Sequence, residues 1–523
     1  MQHWAPRIRQ LMMTGYARMI KAVPAVLVWL WCRYPHKQWR LWRRSILQPV
    51  QPPAVQLAMG GRLTVNSPQG GAMDHAHGTY RHGVSLSGDT ADSGSGSISD
   101  VQARTAGQVS QAFGKKPSRF AVRNARKIDA RGIQENFWLI SEDGVIAAAG
   151  TRSGDFEAAL RKFSAENTDG ADSGMAIIDA AGSTLTPGYI DIHAHGAWAH
   201  AYDDGAEAIS LARAGHMVHG TTRQVLSLIT NPIDVMCRNV SAVRQATEER
   251  PDILGAHLEG PFLALARKGA HDPQCLKGPV PQLVDRLLES AGGCMRQITI
   301  APELPHGISA VRQFAGAGVI PAVGHCDADY ETAQRAFDAG AGIMTHIFNA
   351  MNGIHHRDPG PIPAAVEDPR ITIEMINDGF HVQDPVIKLA FVMAPHRIAL
   401  ITDAMAATGC PDGAYKLGSL DVNVADGHAR LVSNGAIAGS TLLLETAVQR
   451  AVIEQGIAPA DAVEAATLTP AKAFGFDRPN DVTGAPLGLA APGYAADILL
   501  SSRDTWEVQS VWCAGRPMPA SGL

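Results

Sequence analysis

PGYIDIHAHG, residues 187–196, ends a short apolar run on two histidines one residue apart. In an extended strand, positions i and i+2 point the same way, so His193 and His195 can converge on one ion. Further apolar runs occur at Thr222–Leu228, Ile253–Leu258, Ile298–Ala301, Ile320–Val323, Ile343–Thr345, Ile371–Ile376 and Ile398–Ile401. Between most of them lie stretches of helical periodicity, such as Ala206–Val218, Pro281–Ser290 and Tyr330–Ala339. Counted with Tyr189–His193, these are strands alternating with helices over about 250 residues, the rhythm of a (β/α)8 TIM-like barrel. An open doubly wound sheet is the alternative reading of the rhythm alone.

The residues that end these runs favour the barrel. The third ends His257-Leu-Glu259, the fifth Gly324-His325, the sixth Thr345-His346 and the eighth Thr402-Asp403. Five strands therefore deliver His193, His195, Glu259, His325, His346 and Asp403 to the carboxyl-terminal rim, the face where barrel enzymes carry their sites. Buried charge is costly unless paired or coordinated, so this set at equivalent strand ends is hard to explain as packing. Imidazole and carboxylate donors together suit Zn²⁺, Fe²⁺, Mn²⁺ or Co²⁺ better than Mg²⁺ or Ca²⁺.

Farther along, HLEGPFL (257–263), KGAH (268–271), GHCDADY (324–330), THIFNAMNGIHHRDPG (345–360), DGFHV (378–382), ITDAMAATG (401–409) and GAIAGSTLLL (435–444) occur in this order. Together with PGYIDIHAHG they resemble the N-acetylglucosamine-6-phosphate deacetylases of the amidohydrolase superfamily, over roughly residues 120–523. HxH and the terminal Asp mark only the superfamily; HLEGPF, FNAM and DGxH together are more specific.

The resemblance implies a catalytic metal on Glu259, His325 and His346, typically Zn²⁺ or Fe²⁺. His193 and His195 are retained, so a second ion shared with Asp403 is left open, giving one or two ions per subunit. A bound divalent ion lowers the pKa of its water from about 15.7 toward roughly 7. Asp403 is then expected to take the proton as water attacks and to return it to the departing amine. His271 is expected to hydrogen-bond the acetyl oxygen, which becomes an oxyanion. The implied substrate pocket comprises Ala270, His271, Asn349, Ala350, Arg357, His381 and the turn Ala438-Gly439-Ser440, with Arg357 gripping the phosphate. In similar proteins part of this pocket comes from a neighbouring subunit, which implies a homodimer. Cys326 departs from the Thr usual after the fifth-strand His, and is read as filler.

Rival chemistries fit less well. Dihydroorotase-like sites commonly use a carboxylated Lys at the fourth strand end, where this chain has Ala301-Pro302-Glu303. Adenosine-deaminase-like sites place a Glu three residues after the fifth-strand His, where Ala328 stands. A catalytically silent barrel generally loses ligands that this chain keeps.

The 523 residues suffice for a barrel and a smaller domain, and the formal charge of −5 hides an asymmetry. The first 73 residues hold ten Arg or Lys and no Asp or Glu, so the remainder sets 35 basic against 50 acidic residues, a charge of −15. An acidic body argues against nucleic acid as a partner. The seven cysteines are scattered without a CxxC pair, which suits a reducing compartment, and a cytoplasmic location is expected. Val23–Cys32 is too short to cross a bilayer, so no stable membrane insertion is expected.

Residues 1–50 are basic and Trp-rich, and allow a membrane-surface segment, a targeting peptide or a start placed too far upstream, the last being favoured. Residues 51–118, with Ser93-Gly-Ser-Gly-Ser97, read as a flexible linker, so 1–118 is expected to be a disordered extension. Asn136–Gly150 reads as two strands around Glu142-Asp143-Gly144, and Asp497–Leu500 and Val508–Trp512 carry a matching signature. A small β-sandwich domain is therefore expected from 119–186 and 477–523, flanking a barrel over 187–476.

Overall fold

Five strands form in succession before the barrel: β1 (Phe120–Asp129), β2 (Gly132–Glu142), β3 (Val145–Gly150), β4 (Ala176–Asp179) and β5 (Thr184–Pro187). The computed structural model describes residues 97–165 and 175–519. The β2–β3 hairpin turns on Asp143 and Gly144, at φ 49° and 82°, the two-residue turn the Asp-Gly pair predicts. A Cβ on Gly144 would stand 2.9 Å from the Ala514 carbonyl oxygen, so only glycine fits there.

The barrel starts at β6 (Tyr189–Ala194), and a short hairpin of β7 (Gly196–Ala197) and β8 (His200–Ala201) interrupts it. It continues with β9 (Thr221–Ile229), β10 (Ile253–Glu259), β11 (Met295–Ile300), β12 (Ile320–Val323), β13 (Ile343–Met344), β14 (Thr372–Ile376) and β15 (Ile398–Ile401). Every neighbouring pair from β6 to β15 is parallel and in sequence order, as expected of the barrel. The seam between β15 and β6 is closed by Thr402, whose hydroxyl donates to Asp191 at 2.6 Å, and by the Asp403 amide, which donates to the His193 carbonyl at 2.8 Å. The predicted helices form at Ala206–Met217, Pro281–Ala291 and Tyr330–Asp338.

Three features bear on the expected barrel bounds, the small β domain built from both ends, and the extension. A three-stranded antiparallel sheet, β16 (Gly413–Leu417), β17 (Leu420–Ala425) and β18 (His428–Leu431), follows β15 within the region assigned to the barrel. The chain then ends in β19 (Ile498–Ser501), β20 (Val508–Cys513) and β21 (Arg516–Met518), which join β1–β5 in one hydrogen-bonded sheet. That sheet curls enough to stack Phe120 on Trp512 at 5.3 Å, so one rolled sheet encloses the sandwich-like core of Val122, Leu139, Leu185 and Ile498. Alternate residues of its last strands, Leu499, Val511 and Cys513, pack into the barrel core instead.

The third feature corrects the disordered extension. Within it, Ile98–Phe113 is a helix. Ser97, the last residue of the Gly/Ser run, caps it: the Ser97 amide donates to Asp100 Oδ2 at 2.8 Å and the Asp100 amide to Ser97 Oγ at 3.3 Å. Ala106 and Val109 are buried against the barrel, and the Arg250 guanidinium lies over the Phe113 ring at 4.9 Å. The readings of residues 1–96 lie outside the described residues. No described helix is long and apolar enough to cross a membrane.

Buried ion pairs invisible in the periodicity tie these parts together. Arg223 on β9 donates to both carboxylate oxygens of Asp497 at 2.6 and 3.1 Å, joining the barrel to the curled sheet. Arg213, wholly buried, reaches Asp252 at 3.0 Å and Gln224 at 2.8 Å. Bidentate partners of this kind offset the desolvation of a guanidinium.

Candidate metal centre

The strand ends place one carboxylate among five imidazoles. Glu259 is the last residue of β10, and its Oε1 lies 3.1 Å from His325 Nε2, 3.1 Å from His346 Nε2 and 3.4 Å from His193 Nε2. Its Oε2 lies 3.1 Å from His195 Nε2 and 3.3 Å from His271 Nε2. Asp403 Oδ1 closes the group, 3.6 Å from His193 Nε2 and 3.5 Å from His195 Nε2. The expected metal and catalytic residues thus meet at one place.

Each stands one or two positions past the apolar part of its strand, where the chain turns over the barrel mouth. His325, His346 and Asp403 adopt φ of 46°, 22° and 49°, a left-handed backbone that L-residues adopt at some cost. Such strain persists where the surroundings over-determine it, as functional sites do. A Cβ on Gly324 would stand 2.5 Å from Thr345 Cβ, so glycine lets the chain turn just before His325.

Burial penalises the Glu259 carboxylate, yet the imidazoles of His193 and His325 hold it well below the usual range. Burial also opposes a charge on His193, but Glu259 and Glu374 raise its imidazole well above the histidine norm. His271 goes the other way: burial lowers it to about 4 despite Glu259. His193 Nε2, buried and facing the cluster, has no hydrogen-bond partner, and Nδ1 of His195 and His346 likewise. A cation fits this donor set: it would satisfy the orphaned nitrogen and the crowded carboxylate together. Two overlapping groups are suitably close, His193/His195/Glu259/Asp403 and Glu259/His271/His325.

The expected substrate residues fare unevenly. His381 lies near Asp403 and holds Asp378 through Nδ1 at 2.6 Å. Ala270 and Ala438 are buried, and the Asn349 side chain donates to the carbonyls of His346 and Ile347 at 3.3 and 3.2 Å. Ala350 sits in the same turn at φ 51°. Ser440 uses its hydroxyl on the Thr402 carbonyl at 2.6 Å and its amide on the Asp403 carbonyl at 2.7 Å, so it braces the turn that carries Asp403. Gly439 is required beside it, since a Cβ would meet the Asp403 oxygen at 2.9 Å. Arg357 is exposed, with no side-chain hydrogen bond or ion pair among the described residues. Cys326 is buried in the barrel core, where burial pushes its thiol up to about 12.

Two supporting residues escaped the sequence reading. Glu374, wholly buried on β14, accepts from the His193 ring at 3.0 Å, from Gln297 Nε2 at 2.7 Å and from the His346 amide at 3.2 Å. A carboxylate inside the apolar run Ile371–Ile376 was its signal. Thr230, just past β9, contacts His271 and Glu259 and carried no signal.

Comparison with known proteins gives the family. The model of the Amidohydrolase family matches residues 184–518. N-acetylgalactosamine-6-phosphate deacetylase of Escherichia coli O157:H7 is 32% identical over 346 residues, 65% of this chain and 89% of that protein. N-acetylglucosamine-6-phosphate deacetylase of Vibrio furnissii is 32% identical over 336 residues, 64% of this chain and 82% of that protein. Among solved structures, a mutant N-acetyl-D-glucosamine-6-phosphate deacetylase of Mycobacterium smegmatis in complex with N-acetyl-D-glucosamine-6-phosphate matches with TM-score 0.68. The two are 35% identical, across 77% of this chain and 99% of that one.

Proposed function

This chain belongs to the amidohydrolase family, and from that premise we propose that it hydrolyses the acetamide of N-acetylglucosamine 6-phosphate, releasing glucosamine 6-phosphate and acetate in amino-sugar catabolism or recycling. The observation that carries this reading is the Glu259 carboxylate enclosed by five imidazole Nε2 atoms at the barrel mouth, with Asp403 beside them.

Glu259, His325 and His346 would hold the catalytic ion, their Nε2 and Oε1 atoms lying 3.1 Å apart, and His193, His195 and Asp403 would serve a second. Their imidazole and carboxylate donors favour Zn²⁺ or Fe²⁺. A divalent ion supplies Lewis acidity, making water more acidic and an acyl oxygen more electrophilic. Asp403 accepts the proton as water oxygen bonds to the acetyl carbon. The same carboxyl returns that proton to the amide nitrogen as the C–N bond breaks, so acetate and the free amine leave. His271 steadies the negative charge that develops on the acetyl oxygen.

At the far end of the substrate, Arg357 holds the phosphate, with Ala270, Asn349, Ala350, His381 and the Ala438–Ser440 turn shaping the pocket. An Arg without a side-chain partner among the described residues suits a phosphate or a neighbouring copy. A homodimer in which two copies complete one another's phosphate site is part of this reading. The described cysteines are all free, which supports a reducing, cytoplasmic setting.

The test is acetate release from the purified metal-loaded protein. Turnover is expected with N-acetylglucosamine 6-phosphate and not at comparable efficiency with the unphosphorylated sugar. The 4-epimer, N-acetylgalactosamine 6-phosphate, is the third arm; preference for it would reassign the sugar and keep the chemistry.

A further inference from the structure

Past β14 the chain makes a short loop, residues 377–383, before the helix Asp384–Met393, and this loop carries His381. Asp378 shapes it from inside. Its Oδ1 accepts from the Phe380 and His381 amides, each at 2.8 Å, and its Oδ2 faces His381 Nδ1 at 2.6 Å. Such local bonds fix the form of a turn, while its place over the barrel mouth has to be set from outside.

The outside hold comes from another helix. Leu444–Gln449 is α-helical, and Arg450–Glu454 continues it as a π turn, in which the Gln455 amide donates to the Arg450 carbonyl at 2.9 Å. Residues five apart on an α-helix lie about 140° from one another round the axis, on different faces. An i→i+5 bond brings them onto one face, and here that face is turned on the loop. Gln455 Nε2 donates to Asn377 Oδ1 at 2.6 Å and to Asp384 Oδ1 at 3.0 Å. Arg450 Nη2 donates to the same Asp384 oxygen at 3.1 Å. Asn377 answers through Nδ2, which donates to Gln455 Oε1 at 3.1 Å and to the Ala447 carbonyl at 2.9 Å. Asn377 and Gln455 are both buried, where amide hydrogen bonds are strongest.

Between the two ends, Arg450 lies against the loop itself. A Cβ on Gly379, at φ 80°, would stand 2.5 Å from Arg450 Nη2 and 2.8 Å from its Cζ. Glu454 holds the other side of the guanidinium, through Nη1 at 2.6 Å. An unbroken α-helix could present Arg450 or Gln455 to the loop, but not both. π turns are rare and recur at functional sites.

We propose that the π turn Arg450–Glu454 is the positioning element for His381: it puts Arg450 and Gln455 on one face, and together they pin both ends of the loop and set where the imidazole stands in the substrate pocket. Arg450 and Gln455 are positioning residues that act through His381. The substrate end of this statement rests on the deacetylase reading; the hold on the loop does not.

Arg450→Met and Gln455→Met each remove the polar head and keep a stem, and Arg450→Lys keeps a charge facing Asp384. In the metal-loaded protein both methionine variants are expected to raise KM for N-acetylglucosamine 6-phosphate about 3- to 10-fold, with kcat and metal content unchanged. The lysine variant should recover most of the loss. The double variant His381→Gln/Arg450→Met should show the KM of His381→Gln alone, since two changes on one path do not add. Additive losses, or methionine variants with the parent's KM, overturn the proposal. Amide hydrogen exchange of the same proteins without substrate reads the hold directly: residues 378–382 should exchange faster in both methionine variants, with the barrel strands unaltered. Exchange unchanged over 378–382, or raised equally throughout the chain, also overturns it. Should the parent release no acetate, the deacetylase reading fails by itself, and the exchange still decides the hold.

Discussion

Glu374 stands behind His193, its carboxylate 3.0 Å from the ring Nδ1, and fixes which nitrogen of that ring is free to bind an ion. In Glu374→Gln the amide oxygen is claimed by Gln297, which now donates to Glu374 at 2.7 Å, so the amide NH2 is turned on His193. Two donors then face each other, the ring proton moves to Nε2 and the lone pair closes. Metal affinity is expected to fall about 10- to 100-fold, measured by titrating chelated metal-free protein with Zn²⁺. An affinity equal to the parent's would remove Glu374 from this role.

Asp403→Asn keeps the shape of the side chain and removes its basicity. Turnover is expected to fall by about 10²- to 10⁴-fold while the ion on Glu259, His325 and His346 stays bound, as read by elemental analysis beside the acetate assay. Retained turnover would assign the proton transfer elsewhere.

Arg357→Ala tests the phosphate end. The side chain is exposed and makes no internal ion pair among the described residues, so thermal stability should not change. KM for the phosphorylated sugar is expected to rise about tenfold or more, with kcat little altered, as loss of a charge-assisted contact implies. A variant that still discriminates the two sugars as the parent does would contradict the assignment.

The His381–Asp378 pair gives a pH dependence. Burial opposes the charge on His381, but the hydrogen bond and charge of Asp378 outweigh it and raise the imidazole above its ordinary value. Burial likewise opposes ionisation of Asp378, and His381 holds it below the carboxylate norm. The pair's contribution is complete at pH below the ordinary histidine value and is lost as pH rises through the raised one; Asp378 fails only in strong acid. KM for the substrate should therefore climb as pH rises above the ordinary histidine value and through the raised one. His381→Gln should start higher and vary less over the same range; equal slopes would exclude His381 from substrate binding.

The helix Ile98–Phe113 is expected to matter for stability. Protein beginning at residue 119 loses the burial of Ala106 and Val109 and the Phe113–Arg250 contact. Its melting temperature should lie a few degrees, about 2–4 °C, below that of protein beginning at residue 97. Equal melting temperatures would make the helix an attachment without structural consequence.

The barrel was legible because its eight strands are buried on both sides and read as continuous apolar runs, while the helices between them keep a 3.6-residue period. The candidate ligands were legible for a related reason: a His or Glu that ends such a run has nowhere to point but the barrel mouth. The curled sheet was half legible, since its hairpin turn is local but its pairing of β5 with β19 joins segments about three hundred residues apart.

Chain order by itself determined the alternation, the donor set and the strand ends that carry it. Only the tertiary structure decided which nitrogen of each histidine is free, that Glu374 backs His193, and that Thr230 faces His271. Those depend on what lies within about 3 Å of a ring atom, and hydrogen bonds at that range are made between strands, where no periodicity in the sequence records them.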